Sequence, residues 1–563
     1  MERTESQKRA IESVTQPTAV IAGAGSGKTE ILTGRLLHIL EHTTTTLHQI
    51  LAVTFTDKSA LELKRRIASQ LPEESRDLLP FASIGTIHSF CLNLLQEQAP
   101  LIGLHDRVNV WDEHTTHLHI HQAARQTVLA ALDRKEVAVL EMVEELDFPQ
   151  MLILLEDLMN ARWHAERVLL RSKSGDEKEE RFLQATKNLY NETRERYDRF
   201  KRERSALDFQ DLEILTLQLL TQNAGVRKIV QERFTHILVD EAQDLNDLQR
   251  ELLQIIFNPK TNCLCIVGDP KQSIYRFRGA NVENFKILVG MIREAGGIEV
   301  SLNENFRSRP EILALINKTF EPIFSADFFT PLLPTKEPSD SPAIHVLSIP
   351  TPEETDAESL RKAESALIAA RIEEMVAAGE AKYADFVLLF SSLNDIRYYE
   401  MALRHHDIPY RRFGGGGFLN AQEVCDLLFV LKILQDPADK RSLVGLMRSP
   451  LLGIPDTEIV KLCDDTGSLW EKLLERPEAC WLKTLAEKKE DLRGYQILEE
   501  AILETHYDTL LEKLDPSGTK LANLEQLLDI TRSLELEDER SLAEVIEHFE
   551  ELKKQKRSIG LAT

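Results

Sequence analysis

The sequence predicts an α/β fold, with two RecA-like lobes on parallel sheets, each interrupted by a largely helical insertion. Three observations carry this. The apolar runs TAVIAGAG and THILVDEA have strand character and end in small or acidic residues. Two further runs of that kind, AIHVLSIP and DFVLLFSS, follow Asn303. Long charged stretches rich in helix formers separate the groups, as in KEVAVLEMVEEL and KNLYNETRERYDRFKRERS. At 563 residues the chain exceeds a single hydrophobic core, so several packed units are expected.

Residues 1–98 form the first part of lobe one. Here GAGSGKT (Gly23, Ala24, Gly25, Ser26, Gly27, Lys28, Thr29) follows a strand and precedes the helical EILTGRLLHIL, the context a phosphate loop requires. Its glycines let backbone N–H groups face a β-phosphate at a helix N-terminus. Lys28 reaches the β and γ oxygens and Thr29 offers a hydroxyl to Mg²⁺, with Ala22 and Glu30 flanking the nucleotide-binding loop. Residues 99–205 read as a helical insertion.

Lobe one resumes over 206–296. ILVDEAQD delivers two carboxylates just beyond a strand, where open parallel sheets hold their ligands. Asp240 suits the Mg²⁺ shell, and Glu241 suits orienting and deprotonating the attacking water. CLCIV reads as a buried strand that sets Cys263 and Cys265 on one face as buried thiols, with no further ligands for zinc nearby.

Residues 297–445 begin the second lobe and carry a helix ending at RHHDIPYRRFGGGGF, whose four glycines suit a turn and do not match a nucleotide loop. Residues 446–557 form a second helical insertion, as in EVIEHFEELKKQKR, and 558–563 open a returning strand. No stretch approaches the ~20 apolar residues of a membrane span, and the polar N-terminus lacks signal-peptide character, which makes the cytoplasm the expected location. A net charge of −24 taken alone argues against nucleic-acid binding, yet a groove can be basic on an acidic protein, so the motifs decide.

GAGSGKT, AVTFTDKSA, GTIHSF, VDEAQD, VGDPKQSIYRFRGA and LNENFRS, in this order, resemble the motif series of superfamily 1 helicases of the UvrD/Rep type. IPYRRFGGGGFLNAQEVCDLL and LVGLMRSPLLGI look more like the AddA/RecB branch, whose members unwind duplex ends for recombinational repair. The resemblance implies ATP and Mg²⁺ as cofactors. It also implies 3′-to-5′ movement on single-stranded DNA and on duplexes with single-stranded ends, and it leaves room for a nuclease or helicase partner subunit.

The resemblance also assigns residues. Gln7 stands at the adenine-reading position, Arg35 near the base or sugar, and Phe306 against the adenine ring. Phe55, Thr86, His88, Tyr275 and Phe277 are the candidate contacts to a single strand, where aromatic rings stack on any base. Gln272 stands between these aromatics and the γ-phosphate as a sensor, and Arg307 reaches the γ-phosphate from the second lobe. Asp208 and Asp211 in LDFQDL match a family segment but receive no chemical role. Helicases of this type carry two more motifs after the second insertion, whereas this sequence ends at SIGLAT. The expectation is a truncated second lobe with impaired turnover, or a subunit that binds nucleotide and DNA without turning over.

Overall fold

The computed structural model describes residues 3–71, 76, 79–103, 108–324, 329–338, 342–349, 356–412, 418–464, 467–515, 518–536 and 541–554. The glycine run at 414–417 and the closing segment 558–563 lie outside the described residues. The chain divides into two compact units, Met1–His345 and Val346–Thr563. Residues 297–345, read from sequence as the start of the second lobe, fall in the first unit.

The strands of the first unit are β1 (Thr18–Ala22), β2 (Ile50–Thr54), β3 (Ser83–Thr86), β4 (Asn109–Trp111), β5 (Ala206–Asp208), β6 (His236–Val239), β7 (Cys263–Gly268) and β8 (Ile298–Leu302). Six of them form one sheet in the order β3-β2-β6-β7-β1-β8, with every neighbouring pair parallel. In register, Val20 stands between Val267 and Val300. β4 and β5 pair parallel as a separate two-stranded sheet, at the two ends of the helical insertion.

The helices that matter here are α1 (Glu5–Glu12), α2 (Lys28–His42), α3 (Asp57–Gln70), α4 (Ile87–Glu97), α5 (Glu113–Asp133), α6 (Val137–Asn160), α7 (Arg162–Arg167), α8 (Glu177–Glu203), α9 (Phe209–Gln222), α10 (Asp247–Ile256) and α11 (Val282–Glu294). Strand periodicity sorts them into layers. Val20, Ala52, Leu238 and Val267 face a core shared with α1, α2 and α3. Ala19, Val53, Val239 and Ile266 face the opposite core, shared with α4, α9, α10 and α11. Strands buried on both faces read as continuous apolar runs, as parallel sheets covered by helices do.

The insertion packs α5, α6 and α8 around its own core of Trp111, Ile120, Met142, Leu155 and Tyr197. α6 is kinked at Asp147, whose φ is 54°, two residues before Pro149. In the second unit, the helix Ala357–Ala377 packs on Ile396–His405, and Gln422–Gln435 anchors a helical group with Gly494–Thr505 and Thr519–Leu536. Among the described residues no helix is long and apolar enough to cross a membrane.

One sequence expectation is corrected here. AIHVLSIP and DFVLLFSS form no strand among the described residues. Phe386 and Leu388 pack toward the helix pair while Val387 and Leu389 are 77% and 90% exposed, so the period-two alternation persists without a ladder. A strand exists only through its paired neighbour, and no described segment pairs with either run.

Candidate functional site

The phosphate loop leaves β1 at Ala22 and enters α2 at Lys28. Gly25 and Gly27 adopt left-handed φ values of 69° and 89°, which a side chain would strain, and the turn they permit aims Lys28 back across the sheet end. Lys28 Nζ donates to Glu241 Oε2 at 2.7 Å and to Gln272 Oε1 at 3.3 Å. Gln272 Nε2 in turn donates to Asp269 Oδ2 at 2.8 Å. Three side chains from β1, β6 and β7 loops therefore meet at the carboxyl ends of three adjacent strands.

Glu241 has a left-handed φ of 47°, a conformation that is uncommon outside glycine and asparagine and is typically held by surrounding structure at functional sites. The amide of Gln243 holds it, with Nε2 donating to Glu241 Oε2 at 2.8 Å while Oε1 accepts from the Asp269 backbone N–H at 2.9 Å. Burial pushes the Asp240 carboxyl up to about 6, and the negative charge of Glu241 adds to the effect. Asp244 is likewise raised to about 6, by burial and then by Glu241. The site is thus a carboxylate cluster short of positive charge, with Lys28 as its near cation. A hard divalent cation would offset that deficit, and the residues that could hold it are Thr29 through its hydroxyl and Asp240 through its carboxylate.

Gln7 lies beside the phosphate loop. Its Nε2 donates to the Ser26 carbonyl at 3.1 Å, and its Oε1 accepts from the Thr4 backbone N–H as part of the cap of α1. Arg35 departs from its expected place at the base or sugar. It is fully buried, and its guanidinium donates to the carbonyls of Ala10 and Ser13 at 2.6 Å each and to Thr18 Oγ1 at 3.2 Å. Arg35 therefore ties the end of α1 to α2 and fixes the helix that carries Gln7.

The segment LNENFRS lies against the phosphate loop. Phe306 donates its backbone N–H to the Gly25 carbonyl at 2.9 Å, and Asn305 Nδ2 donates to the Ala24 carbonyl at 2.6 Å. Asn305 Oδ1 accepts from the backbone N–H groups of Arg307 and Ser308, which roots the exposed Arg307 at the loop. Asn305 and Gln243 are functional candidates that sequence reasoning missed. Their motifs were recognised, but only the fold shows where an amide can bridge two loops.

Among the candidate strand contacts, the rings of Phe55 and Tyr275 lie 4.9 Å apart and those of Tyr275 and Phe277 lie 5.9 Å apart. Phe277 is 80% exposed and its neighbour Ile274 is 69% exposed, so this aromatic row presents apolar surface to solvent. Thr86 lines the same cleft as Phe55 and His88, and its hydroxyl also caps α4 by accepting from the Ser89 backbone N–H at 3.3 Å. His88, in the first turn of that helix, has the Phe209 ring tilted against it with centroids 4.9 Å apart. A cleft of about 770 Å³ runs past Phe55, His88 and Phe209 to Asp240 and Glu241. Asp208 and Asp211 are buried in an ion network with Arg162 and Lys201, at the junction of insertion and lobe.

Residues 3–289 match the model of the UvrD/REP helicase N-terminal domain. The chain belongs to the UvrD/Rep helicase family. Residues 300–561 match the UvrD-like helicase C-terminal domain. UvrD1 of Mycobacterium tuberculosis H37Rv, described as an ATP-dependent DNA helicase, is 28% identical over 95% of this chain and 69% of its own length. Rep of Escherichia coli K12 is 28% identical over 81% of this chain and 62% of its own length. PcrA of Staphylococcus aureus NCTC 8325 is 26% identical over 94% of this chain and 70% of its own length. Membership of the UvrD/Rep family gives a common frame for the Lys28 site and the aromatic row, since both stand on the motifs that carry the resemblance.

Proposed function

We propose that this UvrD/Rep family member is an ATP-hydrolysing DNA helicase that moves 3′ to 5′ on single-stranded DNA in repair or recombination. The observation that carries the reading is the meeting of Lys28, Glu241 and Gln272, with the aromatic row beginning at Tyr275, three residues beyond Gln272 in the same loop. The AddA/RecB character of IPYRRFGGGGFLNAQEVCDLL and LVGLMRSPLLGI favours substrates with single-stranded ends and a nuclease or helicase partner subunit.

The chain's own groups divide the work. The amides of the phosphate loop bind the β-phosphate at the head of α2. Lys28 exchanges its bond to Glu241 for the phosphate oxygens, which frees the Glu241 carboxylate to orient a water and accept its proton. Arg307 offers a guanidinium to the charge that develops on the γ-phosphate. Mg²⁺, held by Thr29 and Asp240, would neutralise phosphate charge when bound. Gln272 senses the nucleotide through Lys28 and passes its state to Tyr275 and Phe277, which grip bases by stacking without reading them.

The test is steady-state ATP hydrolysis with and without oligo(dT), using Lys28→Ala as the control. Stimulation by DNA that Lys28→Ala abolishes supports a motor. Binding of nucleotide and DNA without turnover refutes the helicase reading for this chain.

A further inference from the structure

Glu213 is a buried carboxylate on α9, a helix whose leucines and isoleucine pack in the apolar core beneath the sheet. Its side chain is 4% exposed, and it lies among Leu212, Ile214 and Leu217 of α9. A charge buried there is costly unless its lone pairs are filled. They are filled from two other elements. His88 Nε2, at the head of α4, lies 3.0 Å from Glu213 Oε1. Gln249 Nε2 donates to the same oxygen at 2.7 Å, and Asn246 Nδ2 donates to Oε2 at 3.3 Å. Asn246 and Gln249 are the capping pair that starts α10, immediately after the DEAQD loop.

We propose that Glu213 is a positioning residue for single-strand binding, acting through His88. A carboxylate oxygen 3.0 Å from Nε2 favours the ring form that carries its proton on that nitrogen, with Nδ1 as the ring atom that can meet a strand. The Phe209 ring lies tilted at 46° to the imidazole with centroids 4.9 Å apart, so one carboxylate and one aromatic ring neighbour His88. His88 itself is 32% exposed and opens on the cleft that also holds Phe55. The buried partner and the half-open ring together make a preset contact, with no rotamer search left for the moment of binding. Because Asn246 and Gln249 share the same carboxylate, the contact is also tied to the helix that follows Asp240 and Glu241. This inference rests on the reading of His88 as a DNA contact.

The test is a double-mutant cycle on the full chain, read by anisotropy of fluorescent oligo(dT) over a salt series. Nucleotide binding serves as the control for folding, and Tyr275→Ala as an independent DNA-contact variant. Glu213→Ala should weaken oligo(dT) binding about ten-fold, the loss expected for one hydrogen bond to a charged group. His88→Ala should weaken it equally, and the double variant no further. Glu213→Gln, which keeps an acceptor for His88, should recover most of the affinity with nucleotide binding unchanged in all variants. Additive effects of Glu213→Ala and His88→Ala would overturn the inference, as would wild-type affinity in Glu213→Ala while Tyr275→Ala is weak. If neither His88→Ala nor Tyr275→Ala changes DNA affinity, the DNA-contact reading fails and the inference falls with it.

Discussion

Replacing Arg162 by alanine should destabilise the first unit by about 3 kcal/mol, the low end of the range for breaking a buried ion pair from one side. The magnitude follows from a charge count. Arg162 and Lys201 face Asp208 and Asp211, and none of the four residues is more than 8% exposed. The guanidinium bonds Asp208 Oδ1 closely and Asp211 Oδ1 at 2.9 Å, while Lys201 Nζ bonds Asp211 at 2.7 Å. Removing Arg162 leaves Lys201 to serve Asp211 and strands Asp208 with Lys201 4.0 Å away. The loss stays at the low end because Asp208 keeps the Tyr197 hydroxyl at 2.6 Å and the Asp211 backbone N–H at 2.9 Å. The assay is urea unfolding followed by tryptophan fluorescence, since Trp111 is buried in the insertion core beside Tyr197. More than one transition is expected from a chain of several units, and the insertion transition is the one to compare. Arg162→Ala paired with Asp208→Asn should regain part of the loss. A shift below about 1 kcal/mol in the single variant would show that the four charges do not form a closed buried network.

The same network sets a pH dependence. Burial alone would raise Asp208, but Arg162 and Lys201 beside it hold its carboxyl at about 2, below its ordinary 3.8. A depressed carboxylate contributes stability above its unfolded value, so roughly 2 kcal/mol should be lost as pH falls from near 4 through 2, and urea midpoints of Asp208→Asn should show a shallower loss. Tyr275→Ala and Phe277→Ala should each weaken oligo(dT) binding about 5- to 150-fold by anisotropy, with nucleotide affinity unchanged, because a stacked base is worth ~1–3 kcal/mol. Arg35→Ala removes the guanidinium from the buried Ala10 carbonyl and leaves the Ser13 carbonyl only the Thr18 hydroxyl, so it should lower the thermal midpoint and weaken binding of fluorescent ATP; unchanged nucleotide affinity would separate Arg35 from the placement of Gln7.

What the sequence made legible is local chemistry at strand ends. The phosphate loop and the Asp240–Glu241 pair could be read because each needs only a strand, a turn and a few residue types in fixed order. Lys28 meeting Glu241 follows once both strands are placed in one parallel sheet. Arg35 was misplaced because an arginine in an amphipathic helix carries no mark of burial, and its partners are main-chain carbonyls that no residue type announces. Glu213 was passed over for a related reason, since its donors come from α4 and α10 and only packing brings them together. The short β4–β5 pair falls below what alternation can signal, having three residues in each strand. AIHVLSIP and DFVLLFSS erred in the other direction, since alternation marks a face and leaves the ladder partner unspecified.

The contacts around Gln243 bear on how nucleotide and strand could communicate. Lys28 contacts both Glu241 and Gln272, so loss of its bond to Glu241 on nucleotide binding changes two loops at once. Gln243 spans those loops, holding Glu241 through Nε2 and the Asp269 N–H through Oε1, while its carbonyl accepts from Ser273 Oγ at 3.1 Å. Ser273 and Tyr275 lie on one short irregular stretch after Gln272, where few backbone bonds resist a shift. A contiguous chain of polar contacts becomes a coupling only if some element in it has two stable arrangements. Glu241 is the candidate for that element, because its uncommon left-handed backbone, whose N–H donates to Asp240 Oδ1 at 3.0 Å, sits beneath a carboxylate held by Lys28 and Gln243. Under the proposed function, a shift at Glu241 would reach Tyr275 and Phe277 through the loop that also carries Gln272, which is the arrangement a motor needs if grip on DNA is to follow the state of ATP.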